Sequence, residues 1–335
     1  MGAAEDSAEA ACEKLVWSHN PEEVMRAAAV LPTSWAGSVQ TELKSFGLEA
    51  EAGWPTEPGA AYLKAAVVMM AKDEGDIISH NIGWLYFIGL RRFVIIDNAS
   101  EDDTAQQLAA LQRSLPGIEL LVVADPILRY MQAQKTTGLY RFALSLWPDL
   151  QWVFPIDADE FLIPLKGLAV LDTLSPRIDA VTIPKSVHFR NTTQQGEEPG
   201  IFFERMDLCS PLFEVPPKVA LRRNPFMAIA QGNHKVQLLT RPEAYEGGFK
   251  HGLYLREYPV RSFAHFVRKV RNGGQAIHAA QTFLGHAVGG GHWLAAHDVL
   301  QTGGETALRA LYERDWVRVR TGRFRFTAFR GLPNA

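Results

Sequence analysis

The stretch AAVVMMA at Ala65–Ala71 opens a series of four apolar runs. The other three runs are FVIID (Phe93–Asp97), ELLVVAD (Glu119–Asp125) and WVFPIDAD (Trp152–Asp159). Segments with helical spacing lie between them, namely the segment ending at Gly89, Thr104–Ser114 and Met131–Trp147. Continuous apolar strands that alternate with helices are typical of a parallel sheet buried on both faces. The sequence therefore predicts an α/β fold that is Rossmann-like, with a mostly parallel central sheet flanked by helices.

Acidic corners follow three of the four apolar runs. They read KDE after the first run, DNASEDD after the second and DADE after the fourth. In an open α/β sheet the ligand lies beyond the carboxyl ends of the strands, where these corners are. We therefore expect a cation at this edge, or a ligand rich in hydroxyl and amide donors.

The Asp157-Ala158-Asp159 sequence suggests a cation site. In an extended chain, residues i and i+2 point to the same side, so both carboxylates could reach one hard cation. A divalent ion held in this way keeps open positions for a substrate diphosphate. The alternative reading of the pattern is a structural turn.

The corner that begins at Asp97 contains side chains with two possible roles, ligand binding and helix capping. A carboxylate at the end of a strand can accept hydrogen bonds from a nucleotide base or ribose, which is the reading for Asp97. Helix capping sufficiently explains Ser100 or Asp102.

Composition excludes several classes of protein. The 335 residues carry 34 basic and 37 acidic side chains, with a net charge of −3, which argues against a polycation that coats nucleic acid. Cys12 and Cys209 lie far apart, so neither a disulfide framework nor a structural zinc site is indicated. The acidic start and the lack of a long apolar run favour a cytoplasmic protein, peripheral at the inner face of the membrane at most.

The charge distribution suggests three parts. We expect an acidic helical N-terminal extension at residues 1–60, a main domain at 61–300 and a basic segment at 301–335 that packs on the domain. Within that segment, Trp316–Arg330 alternates arginine with aromatic or β-branched residues, which suits an edge strand. Its basic face suggests a second role, contact with an anionic membrane surface or a lipid-diphosphate acceptor.

Four stretches, in this order, resemble motifs of the GT-A fold nucleotide-sugar glycosyltransferases, in particular the family-2-like branch and the related family 92. The four stretches are Met70–Asp76, Phe93–Thr104, Ile156–Leu162 and a late segment made of Tyr258–Ser262 with Phe266–Gly274. They match the K-N-E opening, the D-N-x-S-x-D-x-T corner, the D-x-D segment and the R-S…K…G segment of that branch. Asp73 stands where Asn is common in the opening, and Glu257 stands where His is expected before the Tyr.

The resemblance implies a hexosyltransferase-type enzyme that uses a nucleotide-diphosphate sugar, with a UDP-sugar as the expected donor. It implies Mn2+ or Mg2+ as cofactor, a hydroxyl of a glycan or lipid-linked acceptor, inversion at the anomeric carbon, and a place in polysaccharide biosynthesis. By the same analogy, Glu74 and Asp97 contact the nucleoside, whereas Asp157 and Asp159 hold the metal and the diphosphate.

Further candidates follow from side-chain chemistry. Cations that could complement a diphosphate are Lys135, Arg141, Lys218 and Arg261, for which solvated surface is the alternative. His234 lies in a turn-like loop, where it is a candidate third metal ligand or acid–base group. The candidates for the general base are Glu257, His234 and Asp207. His286 and His292 are weaker candidates for metal ligands.

Two other functions remain open on the same architecture. One is a metal-dependent sugar nucleotidyltransferase, which usually grips triphosphate with a Gly-rich basic loop after the first strand, whereas this corner is the acidic KDEGD. The other is a non-catalytic protein that binds a nucleotide sugar or a glycan.

Overall fold

A computed structural model describes residues 59–191, 206, 208–210, 212, 213 and 215–318. The predicted N-terminal extension lies almost wholly outside this range. Asp207 and the part of the basic segment after residue 318 also lie outside it. The described residues divide into two compact units, one made of 59–125, 132–185 and 215–257, the other of the remainder.

The first unit contains a central sheet of seven strands among its described residues. In spatial order these are β12 (Tyr245–Gly247), β6 (Ala180–Ile183), β9 (Lys218–Arg222), β4 (Trp152–Pro155), β1 (Ala65–Ala71), β2 (Arg92–Asp97) and β3 (Glu119–Ala124). All of them run parallel except β9, which is antiparallel to both β4 and β6. The prediction of an α/β fold with a mostly parallel sheet is confirmed.

The helices follow the strands as the apolar pattern indicates. They are α1 (Ile78–Phe87), α2 (Thr104–Ser114) and α3 (Gln132–Leu146). Helix α3 supplies Leu139, Tyr140 and Ala143 to a core cluster shared with the central strands. Strand β3 differs from the prediction of burial on both faces, because Val122 and Val123 are each 37% exposed on this outermost strand of the sheet.

Smaller elements complete the unit next to the central sheet. Strand β5 (Glu160–Pro164) pairs antiparallel with β13 (Leu253–Glu257), and β10 (Met227–Ile229) pairs with β11 (Val236–Leu238). Two side chains of α1 fix β5 in place, since Asn81 donates to the Glu160 carbonyl oxygen at 2.7 Å and the Trp84 indole to that of Leu162 at 2.7 Å. The start of β5 is thereby anchored to α1.

The second unit consists chiefly of two long helices, α4 (Phe263–Leu284) and α5 (Gly291–Asp315). Ser262 caps α4 by accepting from the His265 N–H at 3.0 Å. The predicted boundary at residue 300 falls inside α5. Strand β7 (Lys185–Asn191) pairs with β8 (Leu208–Cys209) and β14 (Val317–Arg318). No helix in the described part of the chain has the length and apolar character needed to cross a bilayer.

The fully buried hydroxyl of Tyr140 ties α3 to the turn after β9. It lies 3.0 Å from the Arg222 carbonyl oxygen and 2.9 Å from that of Asn224, and it accepts from the Asn224 N–H at 2.8 Å. We expect Tyr140→Phe to lower the free energy of unfolding by about 1–3 kcal/mol, because it leaves buried backbone groups without a partner. Urea denaturation would measure the loss.

The same substitution at Tyr62 is the control. Its hydroxyl donates to Asp172 at a solvent-accessible position, 3.1 Å away, where water can replace it. Tyr62→Phe is expected to change stability by less than about 0.5 kcal/mol. Equal effects at the two positions would show that the Tyr140 hydroxyl has no special role.

Candidate functional site

Five charged side chains of alternating sign form a continuous series at the carboxyl end of β4, which we call the charge chain: Asp157, Lys218, Glu160, Lys185 and Glu257. Lys218 Nζ lies 2.5 Å from Asp157 Oδ2 and 3.1 Å from Glu160 Oε1. Lys185 Nζ lies 3.1 Å from Glu160 Oε1 and 2.9 Å from Glu257 Oε2. Each lysine therefore bridges two carboxylates.

The middle of the charge chain is buried from solvent, and its two ends are partly exposed. Glu160 is completely buried, Lys218 is 2% exposed and Lys185 is 6% exposed. The Asp157 side chain is 31% exposed and that of Glu257 is 16% exposed. Buried charges persist only when they are paired and hydrogen-bonded, so the inner groups depend on one another. The two terminal carboxylates are the groups that a ligand can reach.

Strand register brings these residues together. Glu257, the last residue of β13, lies directly opposite Glu160, the first residue of β5. Two carboxylates at opposed positions repel each other, and Lys185 offsets this repulsion by binding both. Lys218 enters from the first position of β9, where it pairs in register with Ile183 of β6. Lys185 is the first residue of β7. Four strands, β5, β7, β9 and β13, therefore contribute charged side chains to one cluster.

The Asp157–Glu160 segment is a turn, not an extended strand. The Glu160 N–H donates to the Asp157 carbonyl oxygen at 3.1 Å, and the Asp157 N–H donates to Glu160 Oε2 at 3.0 Å. The premise of an extended chain, which placed the Asp157 and Asp159 carboxylates on one side, is therefore wrong, and Asp159 is 4% exposed. The turn instead joins Asp157 to Glu160, a residue that the sequence analysis did not select. Its position at the start of a buried strand was the available signal.

Amide groups surround the outer oxygen of Asp157. Gln132 Nε2 donates to Asp157 Oδ1 at 3.1 Å, and Asn233 Nδ2 lies 3.4 Å from the same oxygen. The Gly232 N–H donates to Gln132 Oε1 at 3.2 Å, which holds the Gln132 amide in that orientation. Asn233 Oδ1 is buried and has no hydrogen-bond partner among the described residues. An amide oxygen thus lies beside the carboxylate with its acceptor capacity unused.

The donor set fits a hard divalent cation. Carboxylate and amide oxygens are the ligands that Mg2+ and Mn2+ prefer, and both types are present in Asp157 and Asn233. With Asp159 included, carboxylates exceed ammonium groups by two, which is the charge that one divalent ion would neutralise. In the structure, Asp157, Asp159 and His234 do not offer three ligand atoms within 4.8 Å of one another. The arrangement suits an ion held by one or two protein groups and completed by phosphate and water.

His234 has the tautomer expected of a metal ligand. Its Nδ1 lies 2.8 Å from the Pro217 carbonyl oxygen, which can only accept, so Nδ1 carries the proton and Nε2 is unprotonated. Burial, together with the positive charge of Lys218, lowers the pKa of His234 to about 4. The imidazole is therefore neutral at physiological pH.

Burial and neighbouring charges also perturb the charge chain itself. Burial raises the pKa of Asp157, and the charges of Glu160 and Asp159 raise it further against the opposing effect of Lys218. Burial lowers the pKa of Lys218 and that of Lys185, but their neighbouring carboxylates outweigh it, so both pKa values are raised overall. The lysines stay cationic, whereas the negative charge of Asp157 is only partly compensated. This imbalance favours the binding of a further cation.

The two acidic corners after β1 and β2 interlock at the same edge of the sheet. Asp73 Oδ1 accepts from the Glu101 N–H at 2.7 Å, and Thr104 Oγ1 accepts from the Glu74 N–H at 2.9 Å. Asp97 Oδ1 accepts from the Ser100 N–H at 3.1 Å. Since β1 lies between β2 and β4, Glu74 follows the strand adjacent to the one that leads to Asp157, and Asp97 ends the strand beyond it.

The other predicted cations lie in different settings. Lys135 of α3 pairs with Asp125 at 2.6 Å, at the end of β3, whereas Arg141 is exposed on α3. Arg261 belongs to the second unit, where its Nη1 donates to the Tyr258 carbonyl oxygen at 3.0 Å. Of the phosphate-binding candidates, only Lys218 belongs to the charge chain.

The candidates for the general base and for further metal ligands also lie in different parts of the chain. Glu257 ends the charge chain, and Asp207 lies outside the described residues. His286 and His292 belong to the second unit. His286 is exposed, and burial and the charge of Lys269 lower the pKa of His292.

Comparison with solved structures finds remote similarities. The first is a mannosyltransferase from Pyrobaculum calidifontis, PcManGT, in complex with GDP-Man and Mn2+, with 14% identity, 87% of each chain covered and a TM-score of 0.36. The second is GalNAc-T7 with UDP, GalNAc and Mn2+, with 12% identity, 46% of this chain and 32% of that chain covered and a TM-score of 0.28. A third is a putative glucose-1-phosphate thymidylyltransferase from Bacillus anthracis in complex with a sucrose, with 12% identity, 79% of this chain and 90% of that chain covered and a TM-score of 0.29.

No protein-family model and no curated protein matches the sequence. The structural similarities are too remote to assign a reaction. The function must therefore be argued from the residues of the site.

Lys218→Met tests the interdependence of the buried charges. Removing the ammonium group leaves Glu160 buried with one cation fewer and Asp157 without its bridge, so we expect a loss of about 3–5 kcal/mol in the free energy of unfolding. Lys64→Met is the matched control, because the pair of Lys64 with Asp172 at 2.9 Å is exposed and worth at most about 1 kcal/mol. Similar losses in urea denaturation would contradict the charge chain as a buried network.

His234 should make stability depend on pH. Between pH 6.5 and about 4, the unfolded chain binds a proton at His234 that the folded chain does not, so the free energy of unfolding falls as the pH falls through this window. His234→Gln should flatten this dependence by on the order of 3 kcal/mol at most. Urea denaturation at a series of pH values measures the difference, and parallel curves for the two proteins would refute the assignment.

Proposed function

We propose that this chain is a metal-dependent glycosyltransferase of the GT-A type, which transfers a sugar from a nucleotide-diphosphate sugar to a hydroxyl of a glycan or lipid-linked acceptor. The observation that carries the proposal is the charge chain at the carboxyl edge of the parallel sheet, with Asp157 and the unpartnered oxygen of Asn233 at its accessible end. The acidic corners with Glu74 and Asp97 follow neighbouring strands and are suited to a nucleoside. A UDP-sugar remains the expected donor.

Metal and diphosphate would be held at the Asp157 end. Asp157, with Asn233, Asp159 or His234, would supply the protein ligands, and Mn2+ or Mg2+ bound there would neutralise charge on the leaving diphosphate. Lys218, now paired with Asp157 at 2.5 Å, provides a second positive charge at the same place. Its raised pKa keeps it protonated, so it acts as a fixed cation and not as an acid.

The general base is best assigned to Glu257. Its carboxylate is bound by Lys185 at 2.9 Å, and it is partly open to solvent at the other end of the charge chain. His234 is less suited, because the charges of Lys218 and Asp157 act on it at the opposite end of the charge chain, where the metal and the diphosphate would be held. Attack by the deprotonated acceptor oxygen on the face opposite the leaving group would invert the anomeric configuration.

Loss of Asp157 is the first test. Incubation of the purified protein with Mn2+ and a panel of nucleotide sugars should release nucleoside diphosphate, slowly even without acceptor. Asp157→Asn should lower this release at least about 100-fold, because it removes the charge that faces metal and diphosphate. Asp172→Asn, which alters an exposed carboxylate paired with Lys64, should leave the release unchanged.

The product distinguishes the proposed function from its alternatives. Release of nucleoside diphosphate with transfer of the sugar supports a glycosyltransferase, whereas release of pyrophosphate from a nucleoside triphosphate and a sugar phosphate would indicate a nucleotidyltransferase. Tight binding of a nucleotide sugar without turnover would indicate a binding protein. Unchanged release in Asp157→Asn would overturn the assignment of the metal site.

Glu257→Gln separates the base from donor binding. The amide keeps the shape of the side chain but cannot take a proton, so transfer to acceptor should fall about 100- to 10,000-fold. Affinity for the nucleotide sugar, measured by calorimetry, should change little. Loss of donor binding and transfer together would instead indicate that Glu257 supports the structure of the charge chain.

A further inference from the structure

Helices α4 and α5 of the second unit bring together two histidines and an aspartate that take no part in the charge chain. His278 of α4 and His297 and Asp298 of α5 each offer one ligand atom, and these three atoms all lie within 4.8 Å of one another. The two imidazole rings have their centroids 5.6 Å apart and are inclined at 64°. His278 and Asp298 are exposed, whereas His297 lies beneath them.

A glycine allows His297 to approach α4 closely. A Cβ atom on Gly274 would lie 2.3 Å from Cγ of His297 and 2.4 Å from its Cδ2, so no larger residue fits there. Glycine inside a helix costs about 1 kcal/mol relative to alanine, and here it makes room for an imidazole. Gly274 and His278 are one turn apart on the same face of α4. The face of α4 that contains Gly274 therefore leaves space for His297 and carries His278 next to it.

The inner nitrogen of His297 lacks a partner. His297 is 9% exposed, and its Nδ1 is buried without a hydrogen-bond partner among the described residues. A buried polar atom in this condition costs about 1–3 kcal/mol unless something binds it. Its other nitrogen, Nε2, lies 3.4 Å from the side-chain nitrogen Nε2 of Gln301, one turn along α5. Rotation of the Gln301 amide by 180° would place its oxygen at this position to accept from Nε2–H, which would leave on Nδ1 the lone pair that a metal requires.

We propose that His278, His297 and Asp298 bind a transition-metal ion of the Zn2+ type, with Gln301 orienting His297. Two imidazoles and one carboxylate are characteristic ligands of such ions and poor ligands for Mg2+. An imidazole whose second nitrogen is hydrogen-bonded to a side-chain oxygen is the usual arrangement around bound zinc. Ligands of a tetrahedral zinc ion lie about 3.4 Å apart, so the exposed His278 and Asp298 side chains need to close in only slightly.

The proposed ion would have two properties. Three protein ligands leave a fourth position open to water or to a small anionic ligand on the solvent side. Since the ligands come from two helices, binding would also cross-link α4 to α5 and stabilise the folded unit by an amount that grows with the logarithm of the free metal concentration above Kd.

Titration of the full chain with Co2+ or Zn2+ tests the proposal. After removal of metals, the protein should bind one equivalent at this site, with the visible absorption of four- or five-coordinate Co2+ and a rise in melting temperature on adding Zn2+. His278→Ala and Asp298→Asn should each weaken binding at least about tenfold, and Gln301→Leu should weaken it by about 10- to 100-fold. His278 and Asp298 are exposed, so these two variants should fold normally.

Two controls make the test specific. His286→Ala removes an exposed histidine of the same unit whose Nδ1 contacts the Ala287 carbonyl oxygen at 2.9 Å, and it should leave Zn2+ affinity unchanged. Asp157→Asn should likewise leave it unchanged, which separates this site from the proposed donor site. Unaltered Zn2+ binding in His278→Ala, or equal weakening in His286→Ala, would overturn the proposal.

Discussion

The pairing of buried opposite charges around Glu160 is the constraint on which the site depends. A fully buried carboxylate cannot remain ionised without cations within contact distance, and Lys218 and Lys185 supply them from two separate strands. Each lysine then requires a second carboxylate, which brings in Asp157 on one side and Glu257 on the other. The position of the two accessible carboxylates is therefore fixed by a group that no ligand touches.

This arrangement gives the two ends different chemical character. The Asp157 end has a second aspartate, a histidine with an unprotonated nitrogen and an amide oxygen to which none of the described residues donates, all suited to a cation. The Glu257 end has a single carboxylate paired with one lysine. Stabilisation of a leaving group needs positive charge, whereas removal of a proton needs a basic group. The charge chain has a group suited to each of these roles at a different end.

Much of the fold could be predicted from the sequence. Strands β1, β2 and β4 are continuous apolar runs, and the segments between them have the helical spacing of apolar residues. The site was predictable only in part. The Asp157–Glu160 sequence marks an important corner, but its turn depends on hydrogen bonds between Asp157 and Glu160. The partners Glu257 and Lys218 reach it through the register of β13 with β5 and of β9 with β6. Pairings between distant strands leave no periodic signal in any one segment.

The interleaving of the charge chain also constrains how the sequence can change over evolution. Replacement of one inner residue by a neutral one leaves a buried partner of opposite charge unpaired. Substitutions at these positions must therefore occur together, with an acidic and a basic residue lost or exchanged in the same lineage. Relatives of this protein should therefore either retain all five charges or have lost them in oppositely charged pairs. Positions such as Arg141, exposed on α3, carry no comparable restriction.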